Sequence, residues 1–153
     1  MMLVDTELRP SPIHGVGVFL LQPVARGNLI WRFDSRIDRV YAPEEIDGLP
    51  DHVRRYLRTY STWHEQTGLH VLCGDNGRYF NHAANPSTIS DAISFGVDRA
   101  ARDLEIGQEL TSDYRTICDY ARRFGIAFEG DASVERPRRP RAPFTRLDGT
   151  GPV

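Results

Sequence analysis

The chain has 153 residues, 40% of them hydrophobic and 26% charged, with a formal net charge of -2. That length fits one domain with room for a tail, and that composition excludes global disorder. The near-neutral balance gives no electrostatic ground for nucleic-acid binding, and no apolar run approaches the roughly 20 residues that cross a bilayer.

Met1–Pro10 is too polar for a signal peptide, so a cytoplasmic location in a reducing compartment is expected. All 19 basic residues are arginine and lysine is absent, which codon bias in a GC-rich genome explains. Arg136, Arg138, Arg139 and Arg141 cluster in a segment that reads as a solvated tail. Cys73 and Cys118 lie far apart with no CxxC pair, so neither a disulfide framework nor a structural zinc site is expected.

From Leu3 to Phe33, short apolar runs are cut by glycine and proline. Gly15 to Leu21 reads as a tight turn and a strand, and Asn28 to Phe33 as a second strand after a turn at Ala25-Arg26-Gly27. The two are expected to pair antiparallel. From Asp34 to Leu69 the period changes. Val53, Tyr56, Leu57 and Tyr60 fall at i, i+3, i+4 and i+7, which makes one helical face apolar, and Pro50-Asp51 supplies a start.

From His70 to Tyr114 the pattern returns to strand and loop. His70 to Gly74 and Ile93 to Val97 read as strands, and the Asn-, Gly- and Pro-rich stretch between them as a loop. Leu104 to Tyr114 reads as a glycine turn and a short strand. A helix then opens in which Ile117, Tyr120, Ala121 and Phe124 repeat the helical spacing and Gly125 caps the end. Beyond Gly130, proline, arginine and glycine dominate, and an extended surface segment is expected. The sum is a mostly-β domain with many short strands and about two helices.

Three segments carry chemical interest. His14-Gly15-Val16-Gly17 holds paired glycines, which let a backbone approach a ligand; a plain hairpin turn makes the same demand. It is no dinucleotide fingerprint, because the third glycine and a following helix are missing. Gly77 to Ser87 sets two aromatics before Asn81-His82 and then Asn85-Pro86. An asparagine carbonyl can hold an ammonium or an amide, and histidine offers two ring nitrogens, yet a structural loop has the same composition. Gly107 to Tyr114 reads equally as a turn leading into an edge strand that ends in a packed tyrosine. His64-Glu65 and His70 lack the HExxH spacing and have no evident third ligand, so no metal site is expected. No Ser-His-Asp or Cys-His arrangement has a recognisable local context.

Taken in order, these segments resemble the SET domain. The family's early motif, a GxG turn, a strand, a short glycine turn and a second strand, matches Gly15-Val16-Gly17-Val18-Phe19, Arg26-Gly27 and Leu29-Ile30. Its central motif, Arg-Phe-Ile-Asn-His-Ser-Cys-x-Pro-Asn, is matched by Arg78-Tyr79-Phe80-Asn81-His82-Ala83-Ala84-Asn85-Pro86-Ser87. Its late motif, Arg-Asp-Ile-x-x-Gly-Glu-Glu-Leu-Thr-Tyr-Asp-Tyr, is matched by Arg102-Asp103-Leu104-Glu105-Ile106-Gly107-Gln108-Glu109-Leu110-Thr111-Ser112-Asp113-Tyr114. The resemblance spans Ile13 to Phe124. It implies a β-clip-like fold of small curled sheets with a knot-like core, the late segment threading beneath the central one. Residues 1–128 would form the domain, with a variable helical insert over 34–69, and residues 129–153 the Pro/Arg-rich tail.

The resemblance further implies S-adenosylmethionine as cofactor and the lysine ε-amine of a protein or peptide as methyl acceptor. Neither nucleic acid nor membrane is implied as a partner. The backbone of His14, Gly15, Val16 and Gly17 would contact the donor. Arg78, Phe80, Asn81 and His82 would complete that site, with Asn81 on the amino or carboxylate end and the His82 backbone at the adenine. Tyr114 would be catalytic, standing where donor and lysine meet. Tyr79, Ser112 and Phe124 would line the substrate channel. Free lysine has a pKa near 10.4, so an aromatic-walled channel must favour loss of its proton.

Departures from the family pattern are informative. Ala83 and Ala84 replace Ser and Cys, Ser87 replaces Asn, and Gln108 replaces the first Glu. Ser112 replaces an aromatic that limits how many methyl groups fit. Either a roomier pocket and di- or trimethylation follow, or a decayed lysine site. The cysteine-rich flanks of nuclear members are missing, which suggests a bacterial enzyme. Tyr120, Phe124, Phe128 or Phe144 could close the channel instead, from this chain or from the partner in a homodimer. Two other functions stay open: a SET-fold protein that binds a peptide with little or no turnover, and a methyltransferase for a small-molecule amine.

Overall fold

The computed structural model describes residues 1–64, 67–90 and 96–117. Strands β1 (Thr6–Pro10), β2 (Val16–Leu20) and β3 (Leu29–Arg32) come first. The insert follows, with β4 (Arg39–Tyr41), α1 (Pro43–Asp47), α2 (Asp51–Tyr60), β5 (Ser61–His64) and β6 (Leu69–Leu72). A 3-10 turn at Asn76–Tyr79 then leads to β7 (Asn81–His82), β8 (Thr88–Ser90), β9 (Val97–Ala100), β10 (Glu109–Ser112) and the helical turn α3 (Tyr114–Ile117). Among the described residues the strands form three small sheets, ordered β1-β2-β10-β7, β3-β9-β8 and β4-β6-β5. The protein is mostly β with few helices, as expected.

β2 is the centre of the first sheet. Its Val18 is fully buried and lies opposite Leu8 of β1 on one side and Leu110 of β10 on the other. Leu20, Val24, Ile30, Trp31, Phe80, Ala100 and Leu104 complete the core around it, so early, central and late segments share one apolar centre. β10 also pairs with β7, and this pairing is parallel: Thr111 stands opposite Asn81 and Ser112 opposite His82. A parallel pair needs a long connection between its strands, which residues 83–108 supply.

Several expectations are corrected. β2 and β3 do not pair with each other; β3 pairs with β9 and is bridged at Trp31 by Met2. The segment between them is too long for a tight hairpin and is itself held in place by the Val24–Leu104 bridge. The polar N-terminal stretch contains β1, an exposed edge strand without apolar alternation. The insert is mixed rather than helical, because β4 and β5 flank β6 there. The strand read at Ile93–Val97 begins at Val97 within the described residues, and its first part lies outside them; the helix read over Ile117, Tyr120, Ala121 and Phe124 lies outside them beyond Ile117, the last residue of α3. The glycine-rich central loop holds β7 and β8.

The predicted helix stands as α2, with Leu57 as its buried residue and Val53 and Tyr60 half-buried. Buried Asp38 ties the insert to the body by accepting the backbone N–H groups of Asp34 at 2.7 Å and Gly74 at 2.8 Å.

One carboxyl makes stability pH-dependent. Half-buried Asp98 on β9 accepts the Ser90 hydroxyl, and withdrawal from water pushes its pKa up to about 6. A carboxyl in an unfolded chain titrates near 3.9. The folded state therefore holds this proton more tightly, and the group's contribution is full at low pH and lost as pH rises through about 6. Urea unfolding of Asp98→Asn should accordingly show a smaller loss of stability than wild type on going from about pH 4 to pH 7. Parallel curves for the two proteins would remove Asp98 as the cause.

Candidate functional site

Ser11 begins the site. Its hydroxyl oxygen accepts the backbone N–H groups of Ile13 at 2.9 Å and His14 at 3.3 Å, while its own N–H donates to the Gly15 carbonyl at 2.9 Å. The loop closes on itself and enters β2 through Gly15, whose φ of 51° favours glycine. A Cβ added at Gly15 would stand in open space, so the turn presents bare backbone. Gly17 is constrained in the opposite sense. A Cβ there would collide with the Glu109 carboxylate, coming within 2.7 Å of its Cδ.

Glu109 is the meeting point. Its Oε1 and Oε2 accept the Ser11 hydroxyl at 2.9 and 3.0 Å, and Oε1 accepts the Asn81 amide at 2.8 Å. The same Asn81 nitrogen donates to the Val16 carbonyl at 3.1 Å. One carboxylate thus fastens the GxG turn, the Asn-His pair and the late strand together.

Tyr114 follows from the parallel pairing. β7 and β10 run side by side, so the residues just beyond them return to the same place. The Tyr114 hydroxyl donates to the Phe80 carbonyl, and the Tyr114 N–H donates to His82 Nδ1 at 3.2 Å. The two rings lie 5.5 Å apart, tilted by 51°. Next to them Arg115 grips Asp113 with two side-chain bonds of 2.8 and 2.7 Å, which holds the Asp113 carboxyl below the usual range.

Ser112 is buried, and its hydroxyl is 2.9 Å from that of Thr88, which in turn donates to the Thr111 carbonyl at 3.0 Å. Ser87 completes this buried polar ladder: its hydroxyl accepts the Thr111 N–H at 2.7 Å and donates to the Glu109 carbonyl at 3.1 Å.

Of the residues expected to form the site, Gly15, Val16, Gly17, Phe80, Asn81, His82 and Tyr114 are brought together by these bonds. His14 is exposed at the turn. Arg78 points elsewhere, donating to the Tyr56 hydroxyl at 2.6 Å. Tyr79 packs edge-on against Tyr60, with centroids 5.7 Å apart, and Tyr60 lies 5.0 Å from Tyr56. Phe124 lies outside the described residues. The sequence pattern gave no part in the site to Ser11, Glu109, Thr88 or Tyr60, the last of which it placed only on the apolar face of a helix. The second glycine of GxG was the available signal, since it marks a place where something must approach closely.

Among the described residues no group of three His, Cys, Asp or Glu side chains is arranged to hold a metal ion. His64 and His70 instead contact the hydroxyls of Thr67 at 2.8 Å and Ser61 at 3.2 Å. Among those residues, too, no helix is long and apolar enough to cross a membrane.

A model of the SET domain matches residues 15–115, and the chain belongs to that family. It is 28% identical over 152 residues to the histone-lysine N-methyltransferase mes-2 of Caenorhabditis elegans, covering 94% of this chain. The chain spans 19% of the length of that relative. Its fold is similar to a solved structure of Chaetomium thermophilum Polycomb Repressive Complex 2 bound to S-adenosylmethionine, at TM-score 0.57 and 19% identity over 78% of this chain and 16% of that one. It is also similar to a candidate histone methyltransferase of Plasmodium falciparum, at TM-score 0.51 and 18% identity over 74% of this chain and 95% of the other.

The Tyr114–His82 contact has a protonation requirement. His82 Nδ1 can accept the Tyr114 N–H only while it carries no proton. Burial lowers the His82 pKa; Asp113 opposes this and Arg115 adds to it. Because the folded pKa is depressed, this contribution to stability is present above the unfolded value near 6.5 and is lost as pH falls through the folded one. In an NMR titration the His82 ring should titrate below about 6.5, and the Tyr114 amide should shift with the same midpoint. A His82 midpoint above that value would contradict the assignment.

Proposed function

We propose that this chain transfers a methyl group from S-adenosylmethionine to the ε-amine of a lysine in a protein or peptide. The observation that carries the proposal is a single chain of hydrogen bonds. Tyr114 is anchored on Phe80, and the next residue, Asn81, holds Val16 of the GxG turn. The site residues fit such a donor. Both Asn81 amide hydrogens have partners, so its Oδ1 is left to accept from an ammonium, and Gly15 offers uncovered backbone.

The donor would supply a methyl group on a sulfonium, an already activated leaving group. What remains for the protein is alignment and protonation control. Asn81, Gly15–Gly17 and the His82 backbone would orient the donor, which is mainly an entropic gain. The Tyr114 hydroxyl donates a hydrogen bond to the Phe80 carbonyl, and its oxygen would be the acceptor for a polarised C–H group of the donor. The aromatic row of Tyr79, Tyr60 and Tyr56 would wall the approach of the lysine and disfavour its charged form. The same proposal takes residues 1–128 as the catalytic unit of a cytoplasmic protein, with Phe124 at the channel.

Two measurements test this. In tritiated methyl transfer to a peptide array, Tyr114→Phe should lower turnover by roughly a hundredfold while donor binding stays near wild type. Undiminished turnover would remove Tyr114 from the chemistry. Ser112 is small and stands where the family pattern has an aromatic that limits how many methyl groups fit, which supports a roomier lysine site. Mass spectrometry should therefore find di- or trimethylated product, and monomethyl product alone would refute the roomy site.

A further inference from the structure

We infer that Glu109 is a positioning residue: it acts through Asn81 to commit that side chain's carbonyl oxygen to the donor's α-ammonium. The inference rests on the methyl-transfer function proposed above. An asparagine amide has two faces that differ only in which atom is N and which is O, and either could meet a ligand. Here Asn81 Nδ2 lies between two acceptors, the Val16 carbonyl at 3.1 Å and Glu109 Oε1 at 2.8 Å. Turning the amide over would forfeit both bonds and set Oδ1 against two oxygens. The amide can therefore offer only an acceptor, which selects the cationic end of an amino acid over its carboxylate.

Glu109 is itself prevented from swinging away. Both of its oxygens take the Ser11 hydroxyl, and Ser11 is held in turn by the N–H groups of Ile13 and His14. The absence of a side chain at Gly17 leaves room for the carboxylate. The negative charge beside Asn81 also favours a cation there.

Calorimetric titration of the full chain with two ligands provides the test. S-adenosylhomocysteine carries the α-ammonium; methylthioadenosine keeps the adenosine and the sulfur but lacks the amino-acid end. Glu109→Ala should weaken the first by about tenfold and the second by less than about twofold. Glu109→Gln keeps an acceptor for Asn81 and should recover most of the loss. Asn81→Ala combined with Glu109→Ala should bind S-adenosylhomocysteine no worse than Asn81→Ala alone. If circular dichroism finds Glu109→Ala unfolded, Glu109→Asp, which withdraws the carboxylate from Asn81, replaces it with the same expected selectivity. Equal weakening of both ligands, or losses that add in full, would overturn the positioning role. A wild-type chain that binds neither ligand would instead overturn the proposed function, whereas wild-type affinity in Glu109→Ala would sink this inference alone.

Discussion

A single carboxylate organises the site. Acting as acceptor only, Glu109 must be matched by donors in its part-buried position, and the donors come from two distant places, Ser11 and Asn81. Each match constrains a neighbour. Ser11 shapes the turn that ends at Gly15, Asn81 is oriented by the pair of acceptors it meets, and Gly17 is obliged to remain glycine. Charge-assisted bonds of this kind are stronger than neutral ones, so the arrangement resists local rearrangement.

The parallel pairing of β7 with β10 does the same for the side that holds His82 and Tyr114. It is short, covering Thr111 opposite Asn81 and Ser112 opposite His82. Side-chain hydroxyls extend it where backbone pairing ends: Ser87, Thr88, Thr111 and Ser112 satisfy one another in a buried ladder. A fully satisfied network rigidifies its surroundings, while one with a missing member leaves a buried polar group unpaired. Ser112 thus has its hydroxyl partner in Thr88.

What could be read beforehand was what is local. The GxG turn, the Asn-His pair and the segment of β10 that leads to Tyr114 are short strings whose order matched a known family, and all three converge in space. The α2 stripe was legible because Val53, Tyr56, Leu57 and Tyr60 follow one period. β1 was not, because an exposed edge strand needs no apolar alternation. β5 does alternate, with Ser61 and Trp63 turned inward, but it follows the helical stripe without a break. The pairing of β2 with β3 failed because sequence neighbours are not always sheet neighbours: β9 and the N-terminal residues fill the place beside β3. Glu109 and Ser11 were invisible as a pair, since nothing near either residue announces the other.

Their separation has a consequence for biogenesis. Ser11 and Glu109 are 98 residues apart in the chain, and Phe80 and Tyr114 are 34 apart. Closing such spans costs entropy before any contact repays it, which makes them late events in assembly. A nascent polypeptide still short of β10 has its glycine turn, closed by Ser11, but lacks the Glu109 carboxylate that joins it to Asn81. The site is then complete only once β10 has been made, and a product that stops before Glu109 keeps the turn without the carboxylate that ties it to Asn81.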